Sequence, residues 1–260
     1  MTILLLKLTI TPAVIVAATL AARRFGPAVG GWLIGLPVTA GPVVLFLALD
    51  HGAVFARHVA LGIVAGVSGL VAFVFGYVVV ALRGGGWPAS LAVATAAFAL
   101  TGLVFDVAKP PLAVLLVCGL ALLVAGLRLV PAGAPGRVQT PAPWDLPVRM
   151  VLATCLVLAI TGFASQLGPT LSGIVTAYPL LSTLLAVFAD YAGGGAAAVA
   201  VYRGLIVGLF ATMGFACTLA LVLSRIPIAA AFTLAFVLTL SIQVGSLRVL
   251  RRGSPIGATA

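Results

Sequence analysis

Polar positions along this chain are sparse and clustered, and long apolar runs lie between the clusters. The runs cover 3–22, 29–49, 59–82, 88–107, 110–130, 148–166, 170–189, 204–223 and 227–247. Most are close to the ~20 residues that a helix needs to cross a hydrocarbon core of about 30 Å. They predict an all-α, polytopic membrane helix bundle of about nine transmembrane helices, with the third and eighth runs free to begin several residues earlier. Between the fifth and sixth runs lies the one long Pro-rich polar stretch, from Pro131 to Asp145, which reads as a linker. The chain therefore divides into a first four-helix unit (1–109), a connector helix with its linker (110–147) and a second four-helix unit with a basic tail (148–260).

Composition strengthens the membrane reading. Hydrophobic residues fill 63% of the 260 positions and charged residues only 7%, too few to cover a soluble domain of this size. The formal charge of +10 does not point to nucleic acid. The cations sit singly or in pairs at the ends of apolar runs, with no continuous basic groove to follow phosphates. Lipid is the partner implied, and a small solute and a second copy of the chain remain candidate partners. Charges Arg23 and Arg24 follow the first apolar run instead of preceding it, so that run reads as a membrane helix and not as a secretory signal. With nine crossings, ten arginines (Arg23, Arg24, Arg83, Arg128, Arg137, Arg149, Arg203, Arg248, Arg251 and Arg252) fall on one side. Lys7, Arg57, Lys109 and Arg225 fall on the other. The positive-inside rule then expects an outer N-terminus and a cytoplasmic C-terminus in a cell inner membrane.

A shift of 142 residues aligns the chain with itself. Gly26-Pro27 meets Gly168-Pro169, Gly31 meets Gly173, Pro37 meets Pro179, and Phe46 meets Phe188. Gly52, Gly62 and Gly66 meet Gly194, Gly204 and Gly208 without a gap. Crossings one to four thus map onto six to nine. Five crossings separate equivalent positions, so the second unit is expected upside down relative to the first. Inverted halves of this kind are a recurring plan of secondary transporters.

Each unit carries a proline near the middle of its second crossing, Pro37 and Pro179. Proline removes a backbone donor and frees a carbonyl, which inside a membrane must be buried in protein or face a water-lined path. Paired interruptions point to a substrate pathway lined by Pro37, Thr39, Ser172, Thr176, Tyr178, Pro179, Ser182 and Thr183; the competing expectation is a pair of packing kinks. Gln166 and Gln243 also need partners inside a bundle. Among the few charges, Asp50 with Arg57 and Asp190 with Arg203 are candidate gate pairs at opposite ends, and either acid is a candidate carrier of a coupling proton.

Enzymatic chemistry finds little support. The two histidines, His51 and His58, are seven apart, no Glu is present, and no H-E-x-x-H spacing exists to hold a metal. Ser165 and Ser172 lack a nearby activating base. Gly84-Gly85-Gly86 and Gly193-Gly194-Gly195 are not followed by the lysine of a phosphate loop. Cys118, Cys155 and Cys217 have no disulfide or zinc spacing. Neither metal nor cofactor is expected. The expected function is a permease or exporter of a small, weakly charged solute; the alternatives are a non-transporting helper of envelope assembly and, further off, a membrane-embedded enzyme.

The segment from Gly173 through Tyr178-Pro179 to Asp190 resembles a stretch of the GlpM-like bacterial membrane proteins, which implies a bacterial inner-membrane protein. The plan of two inverted units with a connector is similar to the drug/metabolite transporter architecture, from which it departs by lacking a tenth crossing.

Overall fold

The computed structural model describes residues 2–37, 40–131, 146–148, 150–151, 154–155 and 169–253. The described residues form helices joined by tight turns, with no strand among them. The elements are α1 (Thr2–Phe25), α2 (Pro27–Ile34), α3 (Ala40–His51), α4 (Ala53–Leu82), α5 (Trp87–Ala108), α6 (Leu112–Leu129), α7 (Pro169–Thr176), α8 (Leu180–Gly193), α9 (Gly195–Val222) and α10 (Ile228–Gly253). Six segments among the described residues are long and apolar enough to cross a membrane: Ala53–Leu82, Trp87–Ala108, Leu112–Leu129, Pro169–Tyr191, Gly195–Val222 and Ile228–Ser246. Helices suit such a setting because all their interior backbone groups are bonded within the segment. The linker beyond Pro131 and nearly all of run 148–166 lie outside the described residues.

Helices α4 and α9 form the centre. In each, 72% of the most apolar stretch is buried, against 17–28% in α5, α6 and α10, so the first two face protein and the other three face outward. They run antiparallel: Arg57 near the start of α4 reaches Ala220 near the end of α9, and the ring of Tyr77 near the end of α4 meets that of Tyr202 near the start of α9. Connector α6 packs on both, α5 packs on α4, and α10 packs on α9.

Both central helices begin earlier than their apolar runs, at Ala53 and Gly195 instead of 59 and 204. The cause is the residue before each. Gly52 (φ 87°, ψ 167°) and Gly194 (φ 77°, ψ 177°) adopt nearly the same positive-φ conformation. A glycine reaches that region without Cβ strain, and the chain reverses in one residue without a loop. Arg57, His58 and Arg203 consequently lie on helices and not in connecting segments.

The runs 29–49 and 170–189 are each divided. Helix α2 stops at Ile34 and α3 resumes at Ala40; α7 stops at Thr176 and α8 resumes at Leu180. Each missing turn contains the proline, whose ring and absent N–H cost about 3 kcal/mol in a helix interior. The result is two separated half-helices per run, a sharper interruption than a bend.

Candidate functional site

The two breaks share one backbone pattern. At the first, Gly35 N–H donates to Gly31 O at 3.1 Å, Leu36 to Leu33 at 3.2 Å and Gly41 to Pro37 at 2.8 Å. At the second, the residues 142 positions on repeat the pattern: Ala177 to Gly173 at 3.2 Å, Tyr178 to Val175 at 3.0 Å and Thr183 to Pro179 at 2.8 Å. The turns into the central helices match as well, Gly52 donating to Ala48 and Gly194 to Asp190.

Packing around the breaks is reciprocal. Half-helix α2 lies on α9 with Gly31 against the carbonyl of Val201 and Gly204 against that of Ala28. Half-helix α7 lies on α4 with Gly173 against the carbonyl of Val59 and Gly62 against that of Thr170. A Cβ at any of these four glycines would overlap backbone atoms. Each contact becomes the other on shifting both partners by 142 residues, as Val59 and Val201 or Ala28 and Thr170 show.

Side chains around the two breaks differ. At the first, Thr212 on α9 donates to Gly35 O at 2.6 Å, supplying a partner to a carbonyl at the broken end. Trp32 Nε1–H donates to Ser246 Oγ at 2.8 Å, Gln243 Nε2 donates to Trp32 O at 3.1 Å, and Ser246 Oγ donates to Gln243 O at 2.8 Å. Pro37 is buried. Thr39 lies outside the described residues, as does Gln166.

At the second break a denser polar and aromatic cluster forms. Pro179 and Ser182 are buried, and Ser182 Oγ donates to Pro179 O at 3.1 Å. Thr176 ends α7. The Tyr178 hydroxyl is 2.9 Å from Thr95 Oγ1, and its ring meets Phe73 and Phe98 edge-on. Thr183 Oγ1 lies beside the hydroxyl of Tyr202, yet both atoms are buried without a hydrogen-bond partner of standard geometry. The rings of Tyr202 and Tyr77 meet at a tilt of 55° with centroids 4.8 Å apart, and Tyr77 Oη donates to Asp190 Oδ2 at 3.2 Å.

Asp190 and Arg203, one of the two expected gate pairs, make separate contacts. Asp190 accepts from Tyr77. Arg203 instead turns to the C-terminal end of α6, donating to Leu127 O at 3.1 Å and to Val130 O. A guanidinium there supplies partners to carbonyls that the helix end leaves unpaired and faces the negative pole of its dipole. Arg57 does the same for α9, its Nε donating to Ala220 O at 3.0 Å; the side chain of Asp50 lies outside the described residues. Both arginines serve as caps because α4 and α9 extend further than their apolar runs and carry them alongside neighbouring helix ends.

Sequence reasoning missed Tyr77, Tyr202, Thr95, Thr212 and Trp32. A signal existed for three of them: a Tyr or Trp inside an apolar helix has a polar tip that must find a partner when buried. Comparison of the chain with protein-family models, with curated proteins and with solved structures finds no match.

Proposed function

We propose that this protein is a multi-pass transporter of a small, weakly charged solute, working by alternating access between inverted halves. The observation that carries the reading is the pair of proline-broken helices, each packed through glycines on the central helix of the opposite half. A membrane helix is broken only where protein or a cavity satisfies the freed groups, and paired breaks of this kind flank binding sites in transporters. Glycine-lined contacts allow helices to slide or rock against a neighbour without withdrawing interlocked side chains. Because the halves exchange contacts, a shape open at one end and its mirror open at the other would be close in energy, which alternating access requires.

On this reading the chain crosses a bacterial inner membrane nine times, with run 148–166 completing the second unit. The ten-to-four split of basic residues then favours an outer N-terminus. The solute path runs between the breaks, past Thr39, Thr176, Tyr178, Ser182 and Thr183.

Thiol accessibility tests this. Thr39→Cys and Ser182→Cys are made with Cys118, Cys155 and Cys217 replaced. A membrane-impermeant reagent is applied to right-side-out and to inverted vesicles. Reaction of both positions from both sides is the expected result. If neither position reacts from either side in a folded preparation, the breaks are packing features and the helper role is preferred.

A further inference from the structure

We propose that Asp190 is a proton-binding site, and that its protonation breaks the Tyr77 contact and so releases α8 from α4 at that end of the bundle. The proposal rests on the alternating-access reading and names its coupling ion.

The repeated architecture supplies an internal control. A shift of 142 residues relates Asp190 to Ala48, Tyr202 to Ala60, Thr183 to Gly41 and Tyr77 to Leu219. Ala60 and Leu219 are as deeply buried as the tyrosines they correspond to, at 0% exposure, and Ala48 is buried where Asp190 is half-buried. The same helices with the same backbone hydrogen bonds are therefore built in the other half from small or apolar side chains alone. Packing does not require a carboxylate or three hydroxyls here, and buried polar groups are costly where a hydrophobe would serve. Their presence in one half points to a task that half performs.

The geometry suggests the task. Asp190 sits one turn from the end of α8, where an aqueous proton can reach it, and Thr183 lies two turns further in, next to the break at Pro179. Between them stand the hydroxyls of Tyr77 and Tyr202, on rings from α4 and α9 that touch at a tilt. Carboxylate and hydroxyls form a file from the end of the bundle to the broken helix. Two hydroxyls of that file, on Tyr202 and Thr183, are buried with no partner in hydrogen-bonding geometry, and Tyr202 is fully buried. These are donors and acceptors in reserve. Among the described residues no cation pairs with the carboxylate: Arg203 is held by α6, and Arg83 is exposed beyond the end of α4. Among the described residues the other titratable groups near this end are Tyr77, Tyr202, Tyr178 and the exposed Tyr191; Arg57 and His58 on α4, Cys217 on α9 and Asp106 on α5 lie toward the far ends of their helices.

The step balances simply. Ionised Asp190 accepts the Tyr77 hydroxyl hydrogen bond that ties α8 to α4. On taking one proton from water the carboxylate becomes a neutral acid and a donor. Its attraction for the Tyr77 hydroxyl falls, because charge-assisted hydrogen bonds are about twice as strong as neutral ones. Tyr77 can then turn to the unpartnered hydroxyls, freeing α8 from α4. Loss of the proton to water restores the tie. One proton is bound and one released per cycle, with no redox change.

The test uses purified full-length protein in lipid nanodiscs and has two readouts. Infrared difference spectra between acid and neutral buffer should show a carboxylic C=O band in the wild type that disappears in Asp190→Asn. The labelling rate of Ser182→Cys should depend on pH, by up to about tenfold per pH unit, the limit for one linked proton. Asp190→Asn should abolish that dependence, and Tyr77→Phe should retain it with a displaced midpoint. Tyr77→Phe keeps the ring contact with Tyr202, so it carries the test if Asp190→Asn does not fold. A pH-independent rate in the wild type, an unchanged profile in both variants, or a rate that follows Na⁺ against choline at fixed pH would overturn the proposal. Labelling from one membrane face only, with an Asp190-dependent pH profile, would remove alternating access and leave the proton site standing. Labelling from both faces with no pH profile would do the reverse.

Discussion

Single atoms decide how closely the halves of this molecule approach. Gly204 lies against the carbonyl of Ala28, and Gly173 against that of Val59. Backbone cannot move aside as a flexible side chain can, so an added methyl must push two helices apart. Gly204→Ala is therefore expected to destabilise by about 1–3 kcal/mol or more, the usual range for overpacking. Gly245 on α10 has nothing within 4 Å of an added Cβ. Gly245→Ala should be neutral or slightly stabilising, since alanine has the higher helix propensity by up to about 1 kcal/mol. Thermal unfolding of the two variants in one detergent checks both expectations; equal effects would contradict the close-approach account. These glycines were visible in the sequence as coincidences under the 142-residue shift. Which carbonyl each one faces was not, because that depends on how the two halves dock.

At the scale of elements, the broken helices persist because their ends are given partners. Thr212 donates to Gly35 O from a different helix, whereas Thr233 donates only to Ala229 O one turn back along its own exposed face. Thr212→Val should leave a buried carbonyl unpaired and cost about 1–3 kcal/mol. Thr233→Val should cost almost nothing. Denaturation midpoints of the pair measure the difference, and a harmless Thr212→Val would mean that another group supports the break. The breaks themselves were legible, since proline in an apolar run has one strong physical consequence. The starts of α4 and α9 were less so: glycine at 52 or 194 permits a one-residue reversal but does not demand one. The arginine roles followed those starts. A charge placed in a connecting segment suggested an ion-pair gate, and the same charge on a helix flank became a cap for the neighbouring helix end.

The molecule as a whole is a pair of antiparallel central helices, each carrying the other half's broken helix, with outward-facing helices around them. Hydropathy was sufficient to establish a multi-helix protein of membrane type, because burial of backbone in lipid admits few solutions. The aromatic and hydroxyl cluster around Tyr202 was not legible, because its members come from α4, α5, α8 and α9 and share no spacing in the sequence. The two ends of the α4–α9 pair are chemically unlike. One is latched by Arg57 on Ala220 O, the other by the ring contact of Tyr77 with Tyr202, beside the hydrogen bond that ties Tyr77 to Asp190 of α8. Alternating access requires these latches to open in turn.

Paired spin labels measure that most directly. One pair, Val54→Cys with Leu221→Cys, reports on the Arg57 end; the other, Leu82→Cys with Ala196→Cys, reports on the Tyr77 end. All four positions are exposed. Pulsed dipolar distances would be recorded for both pairs in nanodiscs at acid and neutral pH. The account predicts two distance populations at each end, with the longer one gaining at one end as it declines at the other. A single unchanging distance at both ends under both conditions would contradict it.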